Sequence, residues 1–344
     1  MPAYKMYKIP YHSADLSKCS FLVTGGAGFI GSNLVEYLVK YKARRIRVLD
    51  NLSTGHMSNI QEYLSDPAFE FMQGDIRNLE TCTAALEGVD IVFHQAALGS
   101  VPRSILDPIT TNEVNISGFL NMLVAVKESG ARRMVYAASS STYGDSKELP
   151  KVEEKIGNPL SPYAVTKFVN ELYANVFART YKMELIGLRY FNVFGPRQDP
   201  NGAYAAVIPK FVNQLLNHQS PVINGDGNHS RDFTFIENVV QANMLAAFAS
   251  DPNAINTVYN VAYGERTTLN QLVQSLKKFL SESDPSIAGT EPIHGPNRDG
   301  DIPHSLASIE KAKKNLGYSP RYNFAEGLKM AVEWYKENSV AINS

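Results

Sequence analysis

The sequence of 344 residues has little cysteine, almost no net charge and no long apolar run. Only Cys19 and Cys82 are present, which excludes a disulfide scaffold and a metal site built from several cysteines. A net charge of -1 gives no basic field for non-specific nucleic-acid binding. The seven histidines show no metal-ligand spacing, so no metal site is predicted. No stretch approaches the roughly 20 apolar residues that span a bilayer, so no membrane association is expected.

What is present indicates an ordinary globular enzyme-sized chain. Apolar residues make up 44% of the sequence and charged residues 19%, and the length suits one large domain or two fused domains. Residues 1–18 lack the apolar core of a signal peptide, so a cytoplasmic location is expected. We expect this leading segment to form an additional arm or helix of low functional content.

Strand-like and helix-like segments alternate along the first 190 residues. Short β-rich runs occur at 19–24, 46–49, 69–73, 91–96, 134–139 and 185–190, with helical spacing between them. Continuous apolar strands separated by helices are typical of a parallel sheet covered on both faces. The sequence therefore predicts an α/β fold with a doubly wound, parallel, Rossmann-type sheet.

After residue 190 the pattern changes. The segments 192–204, 224–228 and 285–301 are rich in glycine, proline and asparagine, whereas 257–262 reads as a further strand of the main sheet. We expect a dinucleotide-binding domain comprising 18–190 plus 234–264. A smaller, interleaved substrate domain would comprise 191–233 plus 265–344.

A glycine-rich turn follows the first predicted strand and leads directly into a helix. Glycines at 25, 28 and 31 permit a tight turn, close approach of the backbone to a pyrophosphate, and close packing of helix on strand. The helix N-terminus offers unpaired N–H groups to the phosphates. Because strand, glycine spacing and helix occur together, the motif indicates a dinucleotide site.

Asp50 stands at the end of the second predicted strand, where a carboxylate accepts hydrogen bonds from a ribose 2′-hydroxyl and repels a 2′-phosphate. This favours NAD over NADP, although Asp50 alternatively only begins a turn. Asp75 and residues 95–97 are read as cofactor neighbours or as turn residues. The candidate NAD-binding set is Gly25, Gly28, Phe29, Ile30, Gly31, Asp50, Asn51, Ser53, Thr54, Gly55, Asp75, Ile76, Gln95, Ala96, Ala97, Tyr163, Lys167, Tyr190 and Val193.

Tyr163 and Lys167 lie four residues apart at the start of a predicted helix that runs to about residue 181, so both side chains share one face. The ammonium and a positive nicotinamide ring would lower the pKa of the phenol from its usual value near ~10. This spacing is common by chance, but Ser139 ends a predicted strand whose carboxyl end faces the same crevice. Its hydroxyl can orient the reacting oxygen, or it simply caps a turn.

These strings together resemble the extended short-chain dehydrogenase/reductase superfamily, from Phe21 to about Trp334. Within it the chain is most similar to UDP-N-acetylglucosamine/UDP-N-acetylgalactosamine 4-epimerases. The resemblance is carried by HQAALGSVPRS at 94–104, AASSSTYG at 137–144, SPYAVTK at 161–167 and LRYFNVFG at 188–195.

The resemblance implies that Tyr163 is the base, that Lys167 binds the nicotinamide ribose, and that Ser139 is the hydroxyl partner. Two arginines would clamp the diphosphate, an aspartate would meet the uridine ribose, and the backbone of 205–210 would hold the uracil. The candidate substrate set is Ser100, Arg103, Ser139, Ser140, Ser141, Tyr163, Asn192, Ala206, Val207, Lys210, Asn224, Arg231, Arg298, Asp301 and Ser305.

The implied reaction inverts C4 of a UDP-sugar through a transient 4-keto intermediate, with tightly bound NAD regenerated in each cycle. Ser140 and Ser141 stand where related dehydratases carry an acid, which disfavours dehydration. Ser305 is small where a tyrosine restricts the family to plain hexoses, so N-acetylhexosamines should fit, and UDP-glucose and UDP-galactose remain possible further substrates. Ile302-Pro303-His304 departs from the closest pattern, where an arginine is commoner than the proline.

Two alternatives stay open. A UDP-glucuronate or UDP-N-acetylhexosaminuronate 4-epimerase, or a decarboxylase, would need a cation for the carboxylate, and Arg103 is a candidate. A non-catalytic NAD-binding regulator is remote, because such proteins usually lose the base or its lysine. A homodimer paired through helices near 115–127 and 161–181 is implied, although core packing explains those helices almost as well. Polysaccharide biosynthesis is the expected role.

Overall fold

The computed structural model describes residues 6–200, 205–296 and 302–342. Its centre is a seven-stranded parallel sheet with the order β3-β2-β1-β4-β5-β6-β11. The strands of this sheet are β1 (Ser20–Thr24), β2 (Arg45–Asp50), β3 (Phe69–Gln73), β4 (Ile91–His94), β5 (Arg133–Ser139), β6 (Glu184–Tyr190) and β11 (Thr257–Val261). The order reverses beside β1, which is the switch point where open α/β sheets bind ligands.

Helices cover both faces of the sheet. The helices of the described residues are α1 (Phe29–Lys40), α2 (Leu79–Ala85), α3 (Val101–Leu106), α4 (Pro108–Asn112), α5 (Phe119–Ser129), α6 (Pro162–Tyr181), α7 (Val207–Leu216), α8 (Ile236–Ala247), α9 (Leu269–Ser281), α10 (Glu310–Leu316) and α11 (Phe324–Ile342). Helices α1 and α8 lie on one face, and α2, α5 and α6 lie on the other. A π-helical turn, Glu113–Gly118, joins α4 to α5.

Alternate residues of each strand bury their side chains in two different cores. On β1, Phe21 and Val23 pack in the core that includes α1 and α8. Leu22, between them, packs in the core that includes α2, α5 and α6. Because both faces of the strand are buried, its sequence is a continuous apolar run. Runs of this kind, separated by helices, are what indicated a parallel sheet.

The predicted fold class is confirmed, and all seven predicted strands exist. The boundaries differ at the ligand edge. The strand predicted at 91–96 ends at His94. The chain then runs along the cleft, where tertiary contacts and not apolar periodicity determine its course. The first helix begins at Phe29, within the glycine-rich motif, with Gly28 as its N-cap.

Three two-stranded pairs lie outside the main sheet. They are β7 (Val193–Phe194) with β10 (Thr234–Phe235), β9 (Ser230–Arg231) with β12 (Thr267–Thr268), and β8 (Val222–Asn224) with β13 (Ile293–Gly295). The division at 191–233 and 265–344 stays a prediction. The return of the chain to the main sheet through β11, next to β6, is observed.

The buried carboxyl of Asp232 joins several segments that lie outside the main sheet. Asp232 accepts backbone N–H bonds from Tyr263 (3.2 Å), Gly264 (3.2 Å) and Ala307 (3.2 Å), so one side chain joins three segments of the chain. Burial raises the pKa of Asp232 to about 7. Asp232 directly follows Arg231. The hydrogen bonds of its carboxyl therefore fix the backbone from which the Arg231 side chain extends.

Within the described ranges, the helices all fall short of the combined length and apolar character that a membrane crossing demands.

Candidate active site

The turn after β1 is a cradle that only glycine can form. Gly25 has a φ of +67°, and a Cβ on it would lie 2.7 Å from the backbone nitrogen of Ala96. A Cβ on Gly31 would lie 2.1 Å from the carbonyl oxygen of Gly25. The N-terminus of α1 has no side-chain cap, so its N–H groups face the space above this turn. A diphosphate fits this arrangement through backbone N–H groups and the helix dipole.

Asp50 at the end of β2 is held in a fixed orientation. Its Oδ2 accepts a bond from the Ala27 N–H (3.0 Å), and its Oδ1 accepts one from the Leu52 N–H (2.8 Å). The side chain is 7% exposed and borders the cleft. Asp50 therefore begins a turn and also presents a carboxylate to the cleft, so both interpretations of this residue describe its position. The remaining lone pairs suit ribose hydroxyl groups.

A single cleft of about 620 Å³ collects most of the predicted cofactor set. The predicted residues that line it are Gly25, Gly28, Phe29, Ile30, Gly31, Asp50, Asn51, Ser53, Thr54, Gly55, Asp75, Ile76, Gln95, Ala96, Ala97 and Tyr163. Asp75 is engaged there by Arg77 and Asn51, which hold its pKa at about 2.

Several lining residues were missed by sequence reasoning. Four of them could have been found from their positions, at the end of a predicted strand, directly after one, or within the string at 94–104. They are Leu49, Gly74, Leu98 and Gly99. Others come from elements distant in sequence, and no local pattern points to them. They are Val114, Gln198 and Asp199, whereas Ala205, which also lines the cleft, lies in the segment predicted to hold the uracil.

Tyr163 enters the same cleft because α6 begins immediately before it. The Ser161 hydroxyl caps the helix by accepting the Ala164 N–H (3.1 Å), and Pro162 occupies its first position. Ser139 ends β5 and is 8% exposed. The Ser139 side chain lies close enough to Tyr163 to oppose the rise of the Tyr163 pKa that burial causes. The two hydroxyls predicted to act together are therefore adjacent.

Lys167 lies one helical turn further along α6 and is 3% exposed. Its Nζ donates to the carbonyl oxygen of Ala137 on β5 (3.0 Å) and lies 6.0 Å from the centre of the Tyr163 ring. Burial lowers the pKa of Lys167 to about 8. The ammonium is thus buried next to Tyr163, but Lys167 is not among the residues that line the cleft, and its contact with NAD stays a prediction.

The predicted acidity of Tyr163 requires the Lys167 ammonium together with the nicotinamide ring, and it stays a prediction. In the structure, burial raises the pKa of the phenol above its usual value, and the Ser139 side chain opposes the rise. Burial is therefore the effect that the two positive charges must overcome.

Tyr190 and Val193 lie behind the cleft surface instead of on it. Tyr190 is 9% exposed, and its hydroxyl bonds with Gln95 Oε1 (3.2 Å) and the Asn243 side chain (2.9 Å). Val193 is partly buried and packs against the main core. Contacts of these two residues with NAD remain predictions, and the observed role of Tyr190 is to support Gln95, which does line the cleft.

The predicted substrate residues divide between two places. Ser100, Arg103, Asn192 and Ala206 line the same cleft as the cofactor set, and Val207 begins α7 directly after Ala206. Ser140 and Ser141 follow Ser139, and the Ser141 hydroxyl donates to it (2.9 Å). Lys210 is exposed on α7.

A second cavity of about 590 Å³ is lined by residues 225–226, 228–229, 295–296 and 303–304. Asn224, Arg231 and Ser305 flank these segments. The Arg231 guanidinium donates to the carbonyl oxygens of Ser230 (3.0 Å) and Pro303 (3.3 Å), and the Ser305 N–H donates to Ser230 (3.0 Å). Arg298 and Asp301 lie outside the described residues.

The sheet, its switch point and the glycine cradle define a dinucleotide-binding enzyme of the extended short-chain dehydrogenase/reductase class. Residues 21–262 match the model of the NAD dependent epimerase/dehydratase family. The chain belongs to this family.

Comparison with individual proteins agrees with this assignment. A structure of UDP-N-acetylglucosamine 4-epimerase from Methanobrevibacter ruminantium M1, in complex with UDP-N-acetylmuramic acid, is 38% identical with a TM-score of 0.86, covering 93% of this chain and 99% of that one. Thermus thermophilus UDP-glucose 4-epimerase, in complex with NAD, is 33% identical with a TM-score of 0.80, covering 92% and 99%. UDP-glucose 4-epimerase of Mycolicibacterium smegmatis is 34% identical over 320 residues, 92% of this chain and 99% of that one. The chain is accordingly an isomerase, and NAD is its cofactor.

The buried lysine predicts how stability depends on pH. The folded protein holds the Lys167 proton with a pKa of about 8, against about 10.4 in an unfolded chain. Between these values the unfolded chain binds more protons, so the free energy of unfolding rises with pH. We expect cofactor-free wild type to gain roughly 3 kcal/mol relative to Lys167→Met between pH 7 and pH 10.5, as measured by urea unfolding. A constant difference between the two proteins would contradict the buried ammonium.

Proposed function

We propose that this protein is a 4-epimerase that interconverts UDP-N-acetylglucosamine and UDP-N-acetylgalactosamine. The observation that carries the proposal is the position of Tyr163, which lines the same cleft as the glycine cradle and lies next to the Ser139 side chain. A base, a hydroxyl partner and a dinucleotide site thus meet at the carboxyl ends of the strands. NAD, when bound, supplies the acceptor and donor of hydride at the sugar C4.

The side chains have separate tasks in this proposal. Tyr163 takes the proton from the sugar O4 and later returns it, while Ser139 holds the reacting oxygen by a hydrogen bond. Lys167 supplies positive charge next to Tyr163, where it favours the phenolate. Ser140 and Ser141 carry no acid that could protonate a leaving group at C6, which supports epimerisation over dehydration.

Inversion requires that both faces of the sugar reach the same tyrosine. The nucleotide must therefore be held firmly while the sugar ring stays free to turn. Arg231, anchored by the carbonyls of Ser230 and Pro303, suits the diphosphate because a guanidinium binds phosphate through several N–H groups. The sugar end offers mainly small hydroxyls, which hold a ring less tightly than charged groups do.

Ser305 supports the acetamido sugars as substrates. Its side chain is small and partly exposed, and its backbone N–H is fixed by Ser230. His304 is directed to the Ser230 hydroxyl (2.9 Å). A 2-acetamido group therefore meets no bulky side chain from Ser305.

The competing proposal is a uronic-acid substrate. Arg103 lines the cleft, two residues beyond Val101 at the start of α3, and a guanidinium there suits a carboxylate. This keeps UDP-glucuronate and UDP-N-acetylhexosaminuronate as alternative substrates, and a decarboxylase as an alternative activity. Substrate competition decides between them.

The direct test supplies UDP-N-acetylglucosamine to purified protein without added NAD and follows the anomeric protons by NMR. We expect UDP-N-acetylgalactosamine to appear with its C4 hydrogen retained from the substrate. Tyr163→Phe should lower turnover at least about a hundredfold while NAD stays bound, because only the base is lost. Tyr181→Phe, at the exposed end of α6, is the matched control and should retain full activity.

Two results would overturn the proposal. Turnover of UDP-glucuronate with no turnover of either acetamido sugar would transfer the function to the uronic-acid alternative. Wild-type turnover by Tyr163→Phe would remove the proposed base.

We further propose that two copies pair through α6. This helix exposes Val165, Leu172 and Val176, which lie on one face, and the neighbouring helices α3 and α4 expose Ile105, Leu106 and Ile109. Exposed apolar patches of this kind mark association surfaces. The half-buried Leu120 and Val124 on α5 add less to this surface than the sequence suggested.

Leu172→Glu tests the dimer. Placing a charge at the centre of the apolar face of α6 should convert a dimer to a monomer, which sedimentation equilibrium measures directly. Leu64→Glu is the matched control, since Leu64 is 49% exposed and Leu172 52%, yet Leu64 lies away from α6. A monomeric wild type, or a dimer that survives Leu172→Glu, would rule out this surface.

A further inference from the structure

The amino-terminal arm, residues 6–18, is packed into the molecule along α1. Tyr7 is fully buried and Tyr11 is 6% exposed. The Lys40 ammonium donates to the Met6 carbonyl (2.7 Å), and the Tyr41 hydroxyl donates to the Tyr7 carbonyl (2.8 Å). The arm was expected to have low functional content, but these contacts place a buried phenol beside the helix that begins at the cofactor cradle.

The Tyr7 hydroxyl donates to Oδ1 of Asn33 on α1 (3.0 Å). Asn33 is completely buried and uses its whole amide group. Its Nδ2 donates to the carbonyls of Phe29 (2.9 Å) and Pro196 (3.1 Å), and its Oδ1 also accepts from Arg197 Nη2 (3.1 Å). One side chain thus connects the arm, the first turn of α1 and the segment 195–199.

The Tyr7 hydroxyl fixes which way this amide faces. Asn33 Oδ1 accepts hydrogen bonds from two donors, Tyr7 and Arg197, while its Nδ2 donates to two carbonyls. If the amide were reversed, its NH₂ group would face these two donors and its oxygen would face the two carbonyls. Burial and the nearby Glu36 carboxylate raise the pKa of Tyr7 well above its usual value, so the phenol keeps its proton and remains a donor.

The segment 195–199 depends on these contacts for its course. Arg197 has a φ of +68°, which is rare for a residue with a side chain, and its guanidinium pairs with Glu36 on α1. From the other side, the Tyr335 hydroxyl donates to the carbonyl of Gln198 (3.0 Å). The backbone is therefore held in an unfavourable conformation by groups from two helices.

This segment forms part of the cofactor cleft. Gln198 and Asp199 line the cleft together with Phe29 and Ile30 at the start of α1. Asp199 Oδ2 lies 3.5 Å from Nε2 of His56, which follows the cleft-lining residues 53–55. The segment consequently touches α1 and the loop after β2, the two parts of the chain that carry most of the predicted NAD contacts.

We propose that Tyr7 is a positioning residue for the NAD cleft: through Asn33 its hydroxyl fixes both the first turn of α1 and the segment 195–199, and so slows the release of NAD. The proposal rests on NAD as the cofactor and is independent of which sugar is turned over. An enzyme that regenerates its cofactor in every cycle benefits from slow release, since each lost NAD halts turnover until another binds.

The test compares Tyr7→Phe with wild type, both loaded with NAD. The dissociation rate of NAD is measured after dilution into an enzyme that consumes free NAD. Loss of one buried hydrogen bond should accelerate release about three- to tenfold. Because the ring is retained, packing of the arm is preserved, and thermal melting of the cofactor-free protein shows whether the variant is folded.

Tyr11→Phe is the matched control from the same arm. The Tyr11 hydroxyl donates to Glu237 Oε1 on α8 (2.5 Å) and does not contact Asn33 or the segment 195–199. This variant should melt at a lower temperature than wild type but release NAD at the wild-type rate. Unchanged release by Tyr7→Phe would overturn the proposal. Equal acceleration by both variants would also overturn it, because the arm would then act only through overall stability.

Discussion

The site depends on a lysine ammonium buried beneath the ends of parallel strands. Lys167 occupies this position because α6 lies against β5, where the Ala137 carbonyl accepts a hydrogen bond from the ammonium. A buried charge is costly unless it is hydrogen-bonded, and the cost appears as a lowered pKa. The same geometry sets Tyr163 above the ammonium and beside Ser139, so the charge, the base and the hydroxyl partner are fixed by one helix-to-strand contact.

A buried ion pair links α6 to strands of the main sheet. Arg189 on β6 pairs with Glu171 on α6 (2.7 Å), and both side chains are nearly inaccessible to water. The Arg189 Nη1 also donates to the backbone carbonyl of Glu153 (3.0 Å). The side chain of Glu153 in turn accepts a hydrogen bond from the backbone N–H of Asn260 on β11 (2.8 Å). The helix that carries Tyr163 is thus linked to the strand through which the C-terminal part returns to the sheet. Removing either charge of such a buried pair is strongly destabilising.

The sequence was most informative where local chemistry alone determines position. The glycines at 25 and 31 and the carboxylate of Asp50 could be placed because only those residue types permit that turn and that contact. Gln198, Asp199 and the supporting role of Tyr7 could not be found, since their positions result from packing between segments more than 100 residues apart in the chain or from an arm with no motif. The burial of the Tyr163 phenol, which raises its pKa, could not be predicted either, because spacing along a helix does not reveal how deeply a hydroxyl is buried.

In the NAD-loaded enzyme, we expect the Lys167 ammonium and the nicotinamide ring together to make the phenol of Tyr163 acidic. Ultraviolet titration of tyrosinate, taken as the difference between wild type and Tyr163→Phe, isolates this one phenol. We expect a midpoint below about pH 9, which rises by about one unit or more when the same difference is measured in a Lys167→Met background. The same midpoint in both backgrounds would show that Lys167 does not make the phenol more acidic.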